Sequence, residues 1–428
     1  MKHLLLFLFV LSRASGQQTP AAVNFTFASA LERARQYSGQ ALTANFAALV
    51  AREDTVQAKA ALLPTATALS QYIYTQPNGT DTGVFVAANG PREYLGQGVA
   101  HADIYAPGKR ADYRRAVAAE AVARARADIA GRGLIATVAQ NYYGMVGAQR
   151  RIGYAEVALT DAENFADITV KQEAAGEVSR ADVIKAQLQA EQRRIELQNA
   201  RTELEKTRIG FSVMLFPNYT QAFTVTDDLE TVPPVLPFTD IQAMASRNNP
   251  EIRAAQATVE QQTHEKTAAR AGLLPTFSVD YLYGIDANRV AWQTPEGFRN
   301  VGSQVLGQLS IPIWNWGATR SKIRQADLRV QLARAELSLA QRQLLANLNA
   351  YYVEASTAAS LLTSLRRAVE LAAESLRLTL LRYQAGEATA LEVVDAQNAL
   401  VQTRNALTDG LIRYRLSISN LQILTGVF

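Results

Sequence analysis

The chain is written twice, and that limits what it can fold into more than any single motif does. Residues 58–74 read AKAALLPTATALSQYIY, and residues 268–284 read AARAGLLPTFSVDYLYG. NYY at 141–143 is answered by AYY at 350–352, and AAGEVSRADVIKAQ at 174–187 by QAGEATALEVVDAQ at 384–397. The offset stays between 209 and 211 residues, and the three pairs keep their order. That period is far above those of solenoid repeats, so the expectation is two copies of one large unit.

Each copy opens with a helical stretch that ends at ALLP or GLLP, where Pro64 and Pro275 stop the helix and start extended chain. In the second copy Phe277, Val279, Tyr281, Tyr283 and Ile285 alternate with Ser278, Asp280 and Gly284, with Leu282 the exception. That is the period of two of a strand with one apolar and one polar face. A turn region at 286–300 follows, then Val301, Ser303, Val305, Leu309 and Ile311 against Gln304, Gln308 and Ser310. The first copy repeats the plan at about 65–75 and 93–105, around a loop holding Pro77, Asn78, Gly79, Asn89, Gly90 and Pro91. The expected β-hairpins are therefore about 65–105 and 276–312.

All thirteen prolines lie outside 108–216 and 313–428, leaving 109–175 and 317–383 as 67-residue helical patterns rich in Ala, Arg, Gln, Glu and Leu. At 1.5 Å per residue each spans about 100 Å. Gly131, Gly133, Gly144 and Gly147 weaken the first of these locally. Gly176 and Gly386 allow a reversal, and helices return over about 179–215 and 389–424. The expected division is a leader at 1–16, a first repeat at 17–212 with its helical hairpin at about 109–212, a connection at 213–240, and a second repeat at 241–428 with its helical hairpin at about 317–424. Helix resumes at TDIQAMASRNNPEIRAAQATVEQQ, with Asp240 as its expected cap.

Composition removes several functions. Basic residues number 43 against 39 acidic, a net charge of only +4, so nothing points to nucleic acid. The chain has no cysteine, which excludes disulfides, thiolate metal sites, a cysteine nucleophile and a lipid anchor on an N-terminal cysteine. Three histidines, at 3, 101 and 264, are too scattered for a metal site. No Gly-x-Gly-x-x-Gly, phosphate-binding loop or His-Asp-Ser cluster appears, so neither cofactor nor enzymatic activity is expected. A glycosidase built on Glu392 and Asp395 is disfavoured, because the two acids sit one turn apart among aliphatics rather than across a sugar site. The opening MKHLLLFLFVLSRASG has a basic start, an apolar core from Leu4 to Leu11 and small residues at Ala14-Ser15-Gly16. It reads as an export signal, too short to span a bilayer as a helix.

Strands of about ten residues are long enough to cross a bilayer when tilted. Four of them cannot close, and open edges cannot face lipid, so the edges must meet other chains. A dimer would give eight strands and a filled interior; a trimer gives twelve and a lumen. Helices that long must then project from the barrel as a coiled-coil-like tube with Ala-rich seams. The alternative is an exported structural coiled coil without channel activity, which has no need of amphipathic strands at matching places in both copies.

With LLP leading into the strands, YQAGEATALEVVDAQNALVQTRNAL at 383–407 and YRLSISNLQILTG at 414–426, the duplicated chain resembles the TolC-like bacterial outer-membrane efflux proteins. The resemblance covers essentially the whole mature chain. It implies a homotrimer with a twelve-stranded barrel in outer-membrane lipid and a helical barrel across the periplasm. It also implies an equatorial region at 213–240, and a periplasmic adaptor and an inner-membrane transporter as partners. The two helix–turn–helix tips, with Gly176, Glu177, Gly386 and Glu387, would meet the adaptor. Glu392 and Asp395 match the acidic positions of the family's closed periplasmic constriction, and three chains would stack them in two rings, with Asp182 the one acid added by the first copy. Like charges held close raise some carboxyl pKa values, and no lysine or arginine stands at 388, 389, 391, 396, 398 or 399 to pair with them. Tyr383 fits the tyrosine of the family's gate latch, while Ala388 stands where its arginine is found.

Overall fold

The computed structural model describes residues 23–75 and 92–426. The export signal and the loop of the first β-hairpin lie outside the described residues. Two compact units divide the chain: one takes the N-terminal segment through Tyr37, Thr137–Pro233 and Ala358–Leu416, the other Ser38–Ala136, Pro234–Thr357 and the segment from Ser417 onward.

The second of these holds the sheet. Strands β2 (Thr65–Tyr74), β3 (Arg92–Tyr105), β5 (Thr276–Ala287) and β6 (Val301–Ser310) lie in the order β2-β3-β5-β6, every pairing antiparallel. The two sequence-predicted hairpins are therefore joined edge to edge through β3 and β5, and β2 and β6 are left as open edges. Alternation holds through the register. Tyr281 lies opposite Ala100 and Val305, and Tyr283 opposite Gly98 and Ser303, on the face that carries Phe277 and Val279. The other face pairs Asp280 with His101 and Leu306, and Ser278 with Asp103 and Gln308. A bulge between Asp103 and Tyr105 ends the β3–β5 ladder. On the polar face His101 Nδ1 and Asp280 Oδ1 are 2.6 Å apart, and Lys109 reaches Asp103.

The strands are fed by helices α2 (Gly39–Ala60) and α6 (Pro250–Ala271), whose ends at Ala61 and Gly272 precede Pro64 and Pro275. A short helix α5 (Phe238–Asn248) stops before α6. The expected single helix capped by Asp240 is corrected here: Pro250 pushes Asn249 out of helical conformation, and the Asn249 side chain caps α6 by accepting from Glu251 and Ile252 N–H at 2.9 and 3.1 Å. Arg132 donates to the carbonyls of Ile423 and Asn248 at the carboxyl ends of two helices, where the helix dipole favours a cation.

The long helices are α3 (Pro107–Ala174) and α7 (Ala318–Gln384), followed by α4 (Arg180–Leu215) and α8 (Ala390–Thr425). Pro107 stands at the first position of α3, where its missing N–H costs nothing. The glycines expected to weaken α3 leave it continuous. Gly147 has a packing reason: a Cβ there would lie 2.5 Å from Ile412 Cδ1.

The other unit holds part of the connection at 213–240. It contains a strand, β4 (Phe223–Val225), paired in parallel with β1 (Val23–Phe25) from the start of the chain. Phe25 packs edge to face on Phe216 and Phe223, and Phe211 edge to face on Phe223, while Phe216 and Phe223 meet at a tilt. The Tyr142 hydroxyl donates to Thr226 O at 2.7 Å, and Arg150 holds Asp227 and Glu230 at 2.5 and 3.0 Å. Helix α1 (Phe27–Tyr37) packs on α4, and Arg33 donates to Leu215 O.

Candidate functional site: the two helical hairpin tips

Both tips are built by the same local chemistry. Gly176 has φ +78° and Gly386 φ +76°, the left-handed conformation that side-chain-bearing residues rarely adopt. Open space surrounds both, so the demand is on backbone angle rather than room. Gly176 N–H donates to Glu173 O and Glu177 N–H to Gln172 O, each at 2.9 Å; Gly386 N–H donates to Tyr383 O at 3.0 Å and Glu387 N–H to Arg382 O at 2.8 Å. This is the Schellman closure of a helix end, formed twice.

Three residues later each returning helix is capped. Asp182 N–H donates to Ser179 Oγ at 3.3 Å, and the Ser179 hydroxyl donates to Asp182 Oδ2 at 2.7 Å. Glu392 N–H donates to Thr389 Oγ1 at 3.3 Å, while Thr389 N–H donates back to Glu392 Oε1 at 3.1 Å. The second is a full capping box, the first its shorter-armed counterpart. Val178 and Ala388 stand just before the caps, at staple positions, with buried Val183 and Val393 four residues into the helices.

The structure therefore gives Asp182 and Glu392 a local role that the sequence reading missed, although the Ser-x-x-Asp and Thr-x-x-Glu spacings announce it. A basic partner comes from outside α8. Arg382, on the far side of the turn, lies 3.5 Å from Glu392 and donates to Glu387 O at 2.9 Å. Positions within α8 alone could not reveal a partner that the reversal brings back. Within one chain the Thr389 N–H, then its hydroxyl and Arg382, hold the Glu392 carboxyl below its ordinary value. Asp395, one turn further on, is exposed and takes no part in the cap. In the first repeat Asp182 has Lys185 at 3.8 Å, and Arg180 pairs with Glu173 at 3.2 Å. Glu177 and Glu387 are both exposed at the rim.

Tyr383 is buried, edge-on to Phe165 with ring centroids 5.0 Å apart. Its hydroxyl donates to Thr169 Oγ1 at 3.2 Å, and Thr169 in turn donates to Phe165 O. The tyrosine thus links α7 of the second repeat to α3 of the first, in a cluster with Ala186, Ala390 and Val393. Farther along, Arg193 is buried on α4 and donates to Asn398 of α8, with Gln189 against the same amide at 3.1 Å. These cross-repeat partners carry no sequence signal, because they lie more than two hundred residues apart.

Paired amphipathic hairpins with open edges, each continued by a helical hairpin more than sixty residues long on its first arm, define a class of fold, that of the TolC-like channels. Solved structures agree on the fold. The outer-membrane channel CmeC of Campylobacter jejuni matches with a TM-score of 0.81 at 16% identity, over 94% of this chain and 85% of its own. The family model described as "Outer membrane efflux protein" matches residues 242–427, which is the second repeat. Among curated relatives, the proteases secretion protein PrtF of Dickeya chrysanthemi is 26% identical over 42% of this chain and 38% of its own length. TolC of Vibrio cholerae is 26% identical over 42% of each. The second repeat is thus similar to the outer membrane efflux proteins, and the chain as a whole has the fold of the TolC-like channels. It spans about two-fifths of the length of these two curated relatives.

Proposed function

We propose that the chain is the outer-membrane exit duct of a tripartite efflux or one-step secretion system, passing substrates from an inner-membrane transporter to the exterior. The observation that carries this is the sheet: four antiparallel strands with one apolar face, one polar face and two open edges. In lipid such edges need partners, and three chains close twelve strands around a lumen. Phe277, Val279, Tyr281 and Tyr283 then face lipid, and Ser278 and Asp280 face the lumen. The protein works as a homotrimer with a periplasmic adaptor, and Gly176, Glu177, Gly386 and Glu387 form the rims that meet it. Glu392 and Asp395, with Asp182, form the periplasmic constriction. Tyr383 latches α7 to α3 through Thr169, a link that movement of the second hairpin away from the axis has to break.

Conductance in a planar bilayer tests this reading. The account expects a small, cation-preferring conductance that multivalent cations block from the side of the helical tips. Glu392→Ala combined with Asp395→Ala is expected to weaken both preference and block. A double variant that keeps both would remove these acids from the constriction; the absence of any conductance from folded protein would overturn the duct itself.

A further inference from the structure

Where the sheet meets α3, four side chains form a line of contacts on the polar face: Asp280, His101, Asp103 and Lys109. His101 Nδ1 lies 2.6 Å from Asp280 Oδ1 on β5, and its Nε2 lies 3.5 Å from Asp103 Oδ2 on its own strand. Lys109, in the first turn of α3, reaches the same Asp103 oxygen. The histidine side chain is 37% exposed and the two acids only 18% and 20%, so protons reach the ring from solvent while the carboxylates are mostly covered. The neighbours from the remaining strands are not ionisable. Thr65 of β2 lies opposite His101, and Leu306 of β6 stands beyond Asp280.

The line sits where backbone pairing runs out. The β3–β5 ladder joins the two hairpins, and the bulge between Asp103 and Tyr105 ends it. Past the bulge, the contact of Lys109 with Asp103 ties the strand to the helix. Helix α3 has no acid in its first turn, and a lysine there opposes the helix dipole. Asp103, brought in from the strand, offsets that charge. The matching joint of the second repeat, SIPIWNWG at 310–317, has no ionisable side chain. The line of charges is thus peculiar to the first repeat.

Imidazole is the side chain whose charge ordinarily changes between about pH 5 and 8. A neutral ring with its proton on Nδ1 donates to Asp280 and turns the Nε2 lone pair towards Asp103. A protonated ring donates from both nitrogens and sets two cations against two carboxylates. We infer that His101 is a proton-operated clasp, which fastens β5 to the start of α3 through Asp103 and Lys109 when the ring is charged and loosens that joint when it is neutral. In the proposed duct the polar face lines the lumen, so the clasp follows the pH of the fluid passing through. That setting rests on the duct reading; the clasp itself needs only the geometry of one chain.

The test is hydrogen exchange of the full chain in detergent micelles, at about pH 6 and about pH 8, corrected for intrinsic rates. Amides at 102–112 are expected to exchange about two- to fivefold more slowly at the lower pH, the range of one cross-strand charge pair. Amides at 310–320, the joint without ionisable neighbours, are expected to show no such change. His101→Gln, always neutral, is expected to exchange at the faster level at both pH values. His101→Lys, always charged, is expected to be equally indifferent to pH and slower than His101→Gln. A wild type without the change, a His101→Gln variant that keeps it, or the same change at 310–320 would overturn the clasp. A protein that conducts in bilayers but shows one of those results keeps the duct and loses the clasp. One that shows the His101-dependent change without any conductance keeps the clasp and loses the duct.

Discussion

The two repeats share backbone chemistry and differ in outward chemistry. At the tips, Gly176 and Gly386 have φ values two degrees apart, and Ser179 and Thr389 cap the helices that follow. Outside those positions the copies diverge. Lys185 of the first repeat stands where Asp395 stands in the second, and Tyr105 stands where Trp314 does. The tip ion pairs are rewired as well: Arg180 reaches back to Glu173 in the first repeat, whereas Arg382 reaches forward to Glu392 in the second. Residues that set a dihedral angle or close a helix end tolerate little, because no other side chain does the same work. Residues on the rim of a turn are held by nothing local and are free to acquire separate roles. A duplicated chain thus yields two tips with the same turn and cap but different exposed charges, Lys185 in one and Asp395 in the other.

Several changes would break or sharpen that contrast. The largest effect is expected in the sheet, where Val279→Arg on the apolar face costs about 2–4 kcal/mol near mid-membrane. Ser278→Arg, on the polar face, leaves the fraction of folded oligomer unchanged. Equal losses from both, measured by urea unfolding in vesicles, would abolish the assignment of the two faces. Next come the turns: Gly176→Val and Gly386→Val each cost about 1–2 kcal/mol through the left-handed conformation. Hydrogen exchange at the tip amides is expected to rise by similar factors in the two repeats, and a rise at one tip only would show that the turns are not equivalent. The caps are worth less: Ser179→Ala and Thr389→Ala are each expected to cost about 1 kcal/mol, seen as fraying of the first turns of α4 and α8.

Charge separates the repeats further. Asp395→Asn is expected to lower cation preference without loosening the tip, because Asp395 is outside the capping box. Lys185→Gln, at the matching place, shifts preference the other way or not at all. The smallest effect concerns pH. The carboxyl of Glu392 is held below its ordinary value in the folded chain, so its contribution is present above the unfolded pKa and is lost as pH falls through the depressed folded value. Exchange at the second tip, corrected for intrinsic rates, is expected to quicken in that acid window, and Glu392→Gln removes the dependence.

The large plan was legible because it rests on signals that need no tertiary knowledge. Prolines absent over long spans gave α3 and α7 to within two residues at each end, and the period of two gave the faces of β5 and β6. The three-residue strands β1 and β4 were not legible: three residues carry no measurable period, and their pairing joins segments two hundred residues apart. At the site, the glycines and the acids were found, while Ser179 and Thr389 were passed over although their spacing to Asp182 and Glu392 is a sequence signal. Arg382 and Thr169 were hidden for a different reason. Their partners are set by where a turn and a helix packing bring them, which no in-helix spacing rule reports.

The account depends most on the two open edges meeting in a neighbouring chain. The cysteine-free sequence allows a direct test by placing single cysteines on β2 at Thr67 and on β6 at Gln304 and linking them with a short bismaleimide in native membranes. The predicted result is covalent species of two and three chains and nothing larger, because the third link closes the ring. A product confined to single chains, or a ladder continuing past three, would contradict it.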